Sequence, residues 1–511
     1  MSIQCKILNG ICRLLYRGEY RRFMRVRDTA TVQEKYLKKL LRENRNTRYG
    51  TAYGFGQITS YEEFAKKVPL TKYEDYEPYL DAIGNGEKQV LTKEDVLLFE
   101  LTSGSSGGKK RIPYTPALKK EFQRGIKPWL YDLYASELNV TEGQSYWSVT
   151  PVTAKKTYTE GGIPLGFEED AEYFGFLEQF IMRRMFAVDS GVKFSEDMDD
   201  FYLKTTRQLL ACKELTLISV WNPTFLTLLC DFIRDNLSRV TEGLPAARAE
   251  EVKQAVGENR FDRVFPNLKV ISCWADGSAG DYVADLETRF PTVRIQPKGI
   301  LATECFISFP ILGEEGSRLS VRSHFFEFRS LKDDKIVTVD GLAPGEYEVI
   351  VTTGGGFYRY CIGDIIEVLQ AEKGRPPRIR FLRRAGAASD LFGEKLTEEF
   401  VRNVCKDLGI SEEFCLLAPE GNRYCLYTTA EGLTDERLDV ALRESYHYNY
   451  CRQLGQLLCA RVVSVTGEPQ QRYIQRLTAE GMRMGDIKPA YLSKKNGWEE
   501  WFLGKKGDAL C

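Results

Sequence analysis

Residues Thr102-Ser103-Gly104-Ser105-Ser106-Gly107-Gly108-Lys109-Lys110-Arg111 follow directly on the apolar run Val96-Leu97-Leu98-Phe99-Glu100-Leu101. Small residues let a backbone approach a ligand closely, hydroxyls and free amides offer donors, and a basic cluster supplies charge. Together they make a loop that can wrap a polyphosphate. The familiar nucleotide frame Gly-x-x-x-x-Gly-Lys-Ser/Thr does not fit. Counted from Gly104 the frame is one residue short, and Lys110 stands where a hydroxyl should bind magnesium. The residues that follow, Ile112-Pro113-Tyr114-Thr115-Pro116, suit an extended chain and not the opening of a helix. The segment therefore predicts strand, loop, strand, with a flexible surface turn as the alternative.

The chain has 511 residues, enough for a large core and more than one domain. Its 71 basic and 72 acidic side chains nearly cancel, so nothing in the charge attracts nucleic acid or holds the chain stably on an anionic membrane. Thirteen cysteines are dispersed without Cys-x-x-Cys spacing and there are two histidines, His324 and His447. That pattern argues against a zinc site and fits reduced thiols in a cytoplasm. Near the N-terminus Ile7, Leu8, Ile11, Leu14 and Leu15 recur at helical spacing ahead of an Arg-rich stretch. They predict an amphipathic helix whose apolar stripe packs on the body, with a membrane surface as the alternative.

Helical patterns dominate to about Glu100, after which strand-like and helical stretches alternate. Leu215 to Trp221 and Leu268 to Trp274 read as buried strands, the first ended by Asn222-Pro223, which opens a helix over Thr224 to Leu237. Strand after strand follows from Ser317 to Val368, with turns at Asp333-Asp334, Pro344-Gly345 and Gly354-Gly355-Gly356. Beyond Arg378 to Leu382 the pattern becomes a smaller α+β unit, with helices expected over Thr397 to Leu408 and Asp435 to Leu454 and a hairpin through Glu420-Gly421-Asn422. The prediction is an α/β protein: a large N-terminal domain, residues 1–384, of mixed sheets with flanking helices and a β-rich subdomain, then a small mobile α+β domain, residues 385–511.

Three further segments place a polar residue near the end of an apolar strand, where α/β sites are built. In Ile300-Leu301-Ala302-Thr303-Glu304 the carboxylate can hold Mg²⁺ through oxygen, unless Glu304 is simply a surface residue. In Tyr358-Arg359-Tyr360-Cys361-Ile362-Gly363-Asp364 the aspartate can accept both hydroxyls of a ribose, or it is a turn residue. In Met484-Gly485-Asp486-Ile487-Lys488-Pro489 the lysine lies in a loop, and solvated surface is the alternative.

As an ordered set these signals resemble the adenylate-forming superfamily, and within it the Gretchen Hagen family of acyl-acid amido synthetases. The resemblance extends to Thr47-Arg48-Tyr49-Gly50, to Val68-Pro69-Leu70-Thr71-Lys72-Tyr73-Glu74-Asp75-Tyr76, to Gly345-Glu346-Tyr347-Glu348-Val349 and to Leu391-Phe392-Gly393-Glu394-Lys395-Leu396. The wording of the Thr102 to Ser106 loop is closer to bacterial relatives than to plant ones. The resemblance implies adenylation of a carboxylic acid by ATP with Mg²⁺, then attack by an amine, typically an amino acid, to give an amide and AMP. It also implies roles. Ser103, Gly104, Ser105, Ser106 and Lys110 hold the β- and γ-phosphates, and Thr303 and Glu304 meet the α-phosphate and the metal. Gly277 and Ser278 pack on adenine, Asp364 holds the ribose, and Lys488 meets the α-phosphate and the attacking carboxylate. Arg384 falls at the hinge arginine, although Arg383-Arg384-Ala385-Gly386 lacks the aspartate that relatives often carry there. Tyr158, Glu160 and Phe167 to Phe176 are candidate lining of an acyl pocket. An acyl-CoA synthetase and a non-catalytic adenylate-binding protein remain as alternative readings.

Overall fold

The structure, a computed structural model, describes residues 3–103, 109–148, 157–166, 181, 184–385, 388–389, 391–392, 394, 396–453, 456–482, 484 and 487–504. They fall into two compact units. The first holds residues 1–276 and 283–382, and the second holds 277–282 with 383–511.

In the first unit α1 (Ile3–Met24) and α2 (Thr29–Asn44) precede the hairpin β1 (Leu98–Ser103) and β2 (Lys109–Tyr114), paired antiparallel with Ser103 opposite Lys109. Pro113 is extended, as its fixed φ favours, but Pro116 does open a helix. It sits at the first turn of α3 (Pro116–Ala135), where its missing N–H is no loss, and Thr115 caps that helix by accepting from Leu118 N. A four-stranded parallel sheet follows in the order β3 (Gln144–Trp147), β4 (Leu215–Ser219), β5 (Val270–Cys273), β6 (Arg294–Pro297). Every residue of β4 is buried, Thr216 and Ser219 included, which is why the stretch shows no apolar/polar alternation of a half-exposed strand. The helix after it, α4 (Pro223–Asp235), starts where expected, with Asn222 Oδ1 accepting from Thr224 N.

A short hairpin, β7 (Leu301–Ala302) and β8 (Cys305–Phe306), leads into the seven-stranded sheet. Its strands are β9 (Ser308–Pro310), β10 (Ser317–Leu319), β11 (Phe325–Ser330), β12 (Ile336–Thr338), β13 (Gly345–Thr352), β14 (Tyr360–Gln370) and β15 (Arg378–Arg384), in the spatial order β9-β10-β15-β14-β13-β11-β12. One apolar core runs from α1 to Ile379.

The N-terminal helix forms and packs, but not on the expected face. Ile7 is 57% and Leu14 66% exposed, whereas Cys5, Asn9, Cys12, Tyr16 and Phe23 are buried. Asn9 fixes the choice, because its amide donates to the carbonyls of Thr141 and Gly143. A polar residue that satisfies two buried carbonyls outweighs the apolar count of the opposite stripe.

The second unit is built on a three-stranded sheet of β16 (Cys415–Glu420), β17 (Arg423–Thr428) and β18 (Arg461–Ser464). Helix α5 (Glu398–Asp407) is capped by Thr397, and Gly421 turns the hairpin at φ 63. The long helix expected from Asp435 is two, α6 (Asp435–Leu442) and α7 (Tyr446–Gln453). Ser445 restarts it by accepting from Tyr448 N, and buried Asp439 ties both halves together through Arg443, Tyr448 and Arg452. Every described cysteine is a free thiol, and no described helix is long and apolar enough to cross a membrane.

Candidate functional site

Strand β14 begins under strain. Arg359 adopts φ 50, a conformation that a bulky residue holds only when its surroundings fix it. They do so thoroughly: its guanidinium is buried against Glu327 at 2.8 Å and also donates to the carbonyls of Ala65 and Val68. Arg359 is thus an anchor of the strand and not a ligand-facing group. Four residues on, Gly363 has φ 82, and the ladder slips. Ile350 faces Cys361 and Glu348 faces Ile365, so Val349 alone opposes Ile362, Gly363 and Asp364. A bulge of this kind re-aims side chains, and here it carries Asp364, which is buried.

Thr303 and Glu304 form the two-residue turn between β7 and β8. Glu304 is 5% exposed, so it is not a surface residue. The Tyr360 hydroxyl donates to its Oε1 at 3.5 Å. Burial first, and then the charges of Glu304, Asp364 and Glu121, hold the Cys305 thiol well above its ordinary value. Glu304 and Asp364 are thus both buried, and Tyr360, from the strand that carries Asp364, reaches Glu304.

Beneath that turn lies a buried network that the sequence did not disclose. Phe306 N donates to His324 Nε2 at 2.9 Å, so Nδ1 carries the proton of the neutral ring and donates to Glu121 Oε2 at 3.0 Å. Glu121 also accepts from Tyr36 and from Gly354 N. Any Cβ at Gly354 would collide with that carboxylate, which explains the glycine.

The segment Pro69 to Tyr76 joins the β1–β2 hairpin to β14. Thr71 bridges to Tyr360, its N–H donating to Arg359 O and its carbonyl accepting from Cys361 N. Tyr76 bonds the backbone of Tyr358. Tyr73 accepts from Arg111 N at 2.7 Å and lies 5.0 Å beneath the Lys110 ammonium. Of the hairpin's candidate residues, Gly104, Ser105 and Ser106 lie outside the described residues, and Ser103 is described as the last residue of β1.

In the second unit Gly277, at φ 61, opens the short 3₁₀ helix Gly277–Tyr282, while the Ser278 side chain lies outside the described residues. Lys488 is exposed, and its carbonyl accepts from the Tyr473 hydroxyl at 3.2 Å. Burial, then Glu398 and Tyr282, raise the Tyr473 phenol, and Lys488 in turn draws down the pKa of Glu398, which burial raises. The Lys488 loop is thus tied to the helix Pro469–Ala479, which carries Tyr473. Arg384, at the end of β15, is exposed. In Leu391 to Leu396 the informative residue is Glu394, fully buried, which accepts from Leu391 N, Phe392 N and Tyr424.

Of the candidate acyl lining, Tyr158 and Glu160 are exposed, and Phe167 to Phe176 lie outside the described residues. No group of three or more His, Cys, Asp or Glu side chains able to hold a metal occurs among the described residues. A single buried carboxylate, oriented by a phenol, suits a hard cation that takes its other oxygens from phosphate and water.

Residues 21–245 match the GH3 family N-terminal domain and residues 318–384 the GH3 family central domain. The chain is 22% identical over 450 residues to a probable indole-3-acetic acid-amido synthetase, GH3.1, of Arabidopsis thaliana, covering 79% of this chain and 74% of the relative. It is 23% identical over 468 residues to the jasmonoyl-L-amino acid synthetase GH3.5 of Oryza sativa subsp. japonica, covering 78% and 77%. In fold it resembles the GH3.15 acyl acid amido synthetase, with TM-score 0.77, 18% identity and 94% of each chain covered.

Proposed function

Because the chain belongs to the GH3 family, we propose that it is an acyl acid amido synthetase that adenylates a carboxylic acid with ATP and passes the acyl group to an amine. The amine is an amino acid, as the names of the relatives suggest. The observation that carries the reading is the buried Glu304 at the β7–β8 turn, met by the Tyr360 hydroxyl from the strand that also holds buried Asp364, with Pro69 to Tyr76 linking the β1–β2 hairpin to that strand. In the first half-reaction a carboxylate oxygen bonds to the α-phosphorus and the bond to pyrophosphate breaks. In the second, the neutral amine bonds to the acyl carbon, AMP leaves with the electron pair, and the surplus ammonium proton passes to solvent.

Little covalent chemistry falls to the protein, so positioning and charge carry the rate. Ser103, Gly104, Ser105, Ser106 and Lys110 hold the β- and γ-phosphates. Thr303 meets the α-phosphate. Glu304 is the protein ligand of Mg²⁺, which when bound neutralises phosphate charge. Asp364 accepts from the ribose, and Gly277 and Ser278 pack on adenine. Lys488 stabilises the α-phosphate as pyrophosphate departs, and Arg384 marks the hinge of the small domain, residues 385–511. Acid-dependent exchange of labelled pyrophosphate into ATP, with amide detected by mass spectrometry when amino acids are added, tests the reading. Exchange with no acid of a broad panel overturns it. Thioester with coenzyme A, and no amide with any amine, overturns the acceptor.

A further inference from the structure

The carboxyl ends of the parallel sheet carry a polar cluster that none of these roles uses. Trp147, Ser219, Ser272 and Gln296 lie in one transverse row, each opposite the next, so their side chains share a face. Lys298, two residues past Gln296, falls on that face too, and its ammonium donates to Ser219 Oγ at 2.7 Å. Indoles wall it: the ammonium is 4.7 Å from the ring centroid of Trp221, 5.0 Å from that of Trp129 and 5.7 Å from that of Trp147. Lys298 itself is 7% exposed, whereas Trp147 and Trp221 are half-buried.

Trp129 reaches in from α3 and donates to Gln296 Oε1 at 3.1 Å. The other end of that amide, Gln296 Nε2, and the Ser272 hydroxyl are buried and have no hydrogen-bond partner among the described residues. Such orphans call for an explanation, because leaving a buried donor unmade is costly. Flat apolar walls with a few convergent polar groups, set at the carboxyl edge of a parallel sheet, have the make-up of a ligand pocket. The polar groups here are an ammonium, an amide N–H and a hydroxyl. A set of donors is complementary to an anion or a strong acceptor. Lys298 also begins the connection that ends in the Thr303-Glu304 turn, and six residues can separate the two α-carbons by at most about 20 Å.

We propose that Lys298, with Gln296 and Ser272, is a subsite for a second anionic group on the acyl acid. This inference rests on the adenylation reading and names its substrate class. The preferred acids carry a carboxylate, or a comparable anion, at the end remote from the carboxylate that is activated, and the indoles flank the body between. Lys298 is then a specificity-determining residue.

Matched pairs of acids test this: benzoate against terephthalate, and hexanoate against adipate. Three of the chain's six tryptophans surround the ammonium, so intrinsic fluorescence reports occupancy without ATP or turnover. In at least one pair the diacid should bind roughly ten to a hundred times more tightly, the scale of hydrogen bonds to a charged group. Lys298→Met should abolish the preference, and Lys298→Arg should retain part of it. Pyrophosphate exchange with the same acids should follow the same order. Equal or weaker binding of the diacid in both pairs by the unaltered protein overturns the subsite, whether or not the variants fold. A preference that survives in folded Lys298→Met overturns it as well. A Lys298-dependent preference in binding, with exchange supported by no acid of any kind, leaves the anion site standing and overturns the adenylation reading instead.

Discussion

The Tyr76 hydroxyl donates to the carbonyl oxygen of Tyr358 at 2.9 Å and accepts from the amide of the same residue at 2.7 Å. One side chain thus completes both backbone groups of a residue just ahead of a strained strand. Thr71 Oγ1 also donates to the Tyr358 carbonyl. Tyr76→Phe should therefore orphan the amide more than the carbonyl. We expect a loss of roughly 1–3 kcal/mol in unfolding free energy, measured by urea titration. A change within the error of the titration would show that the bond is dispensable.

Glu304→Gln keeps the shape of the side chain and removes its charge. The magnesium concentration for half-maximal pyrophosphate exchange should rise by about tenfold or more, since one anionic oxygen ligand is lost. Unchanged magnesium dependence would remove Glu304 from the metal.

Lys488→Ala should slow formation of the acyl adenylate by about 10²–10³, the usual effect of deleting one donor aimed at developing charge. ATP affinity should change little, because the contact is strongest in the transition state. Supplied with purified acyl adenylate, the variant should make amide at close to the normal rate. Equal failure in both halves would make Lys488 a structural residue.

Burial pushes Asp276 up to about 6, against a pull downward from the Phe381 amide and Arg380. The native state thus keeps a proton that the unfolded chain has already released. Its contribution is full below the unfolded value and is lost as pH rises through the native one. Asp276→Asn retains the acceptor for Phe381 and never ionises. It should be more stable than the parent at neutral pH by on the order of 1–2 kcal/mol and indistinguishable near pH 4, read from urea unfolding at both values. A stabilisation independent of pH would contradict the assignment.

The strand-and-loop grammar was legible because it is local. An apolar-rich, β-branched run announced β4, Asn222-Pro223 announced the helix after it, and glycines announced the turns at Gly354 and Gly421. What depends on distant partners was not. The face that α1 buries is chosen by Asn9 meeting carbonyls more than 130 residues away. Glu304 could be named as a candidate, but its burial comes from the turn and from Tyr360. Lys298 stood in view between Pro297 and Gly299, yet its meaning requires Trp129 and Trp221 from other elements. The helix break before Tyr446 had a local sign in Ser445, which unbroken helical spacing on either side concealed.

The Tyr76–Tyr358 bond also spans 282 positions of the chain. Gln33 is bound still farther on, to Val321, His324 and Phe326. At about 5–20 residues per second, a ribosome needs roughly 15–60 s to make the stretch between Tyr76 and its partner. During that interval the first helices are outside the tunnel with their polar groups answered by water and their apolar faces uncovered. The N-terminal half therefore cannot finish folding as it emerges, and fragments ending before Tyr358 should lack a closed core. For this protein, closure of the core around the first helices waits on the strand that begins at Tyr360.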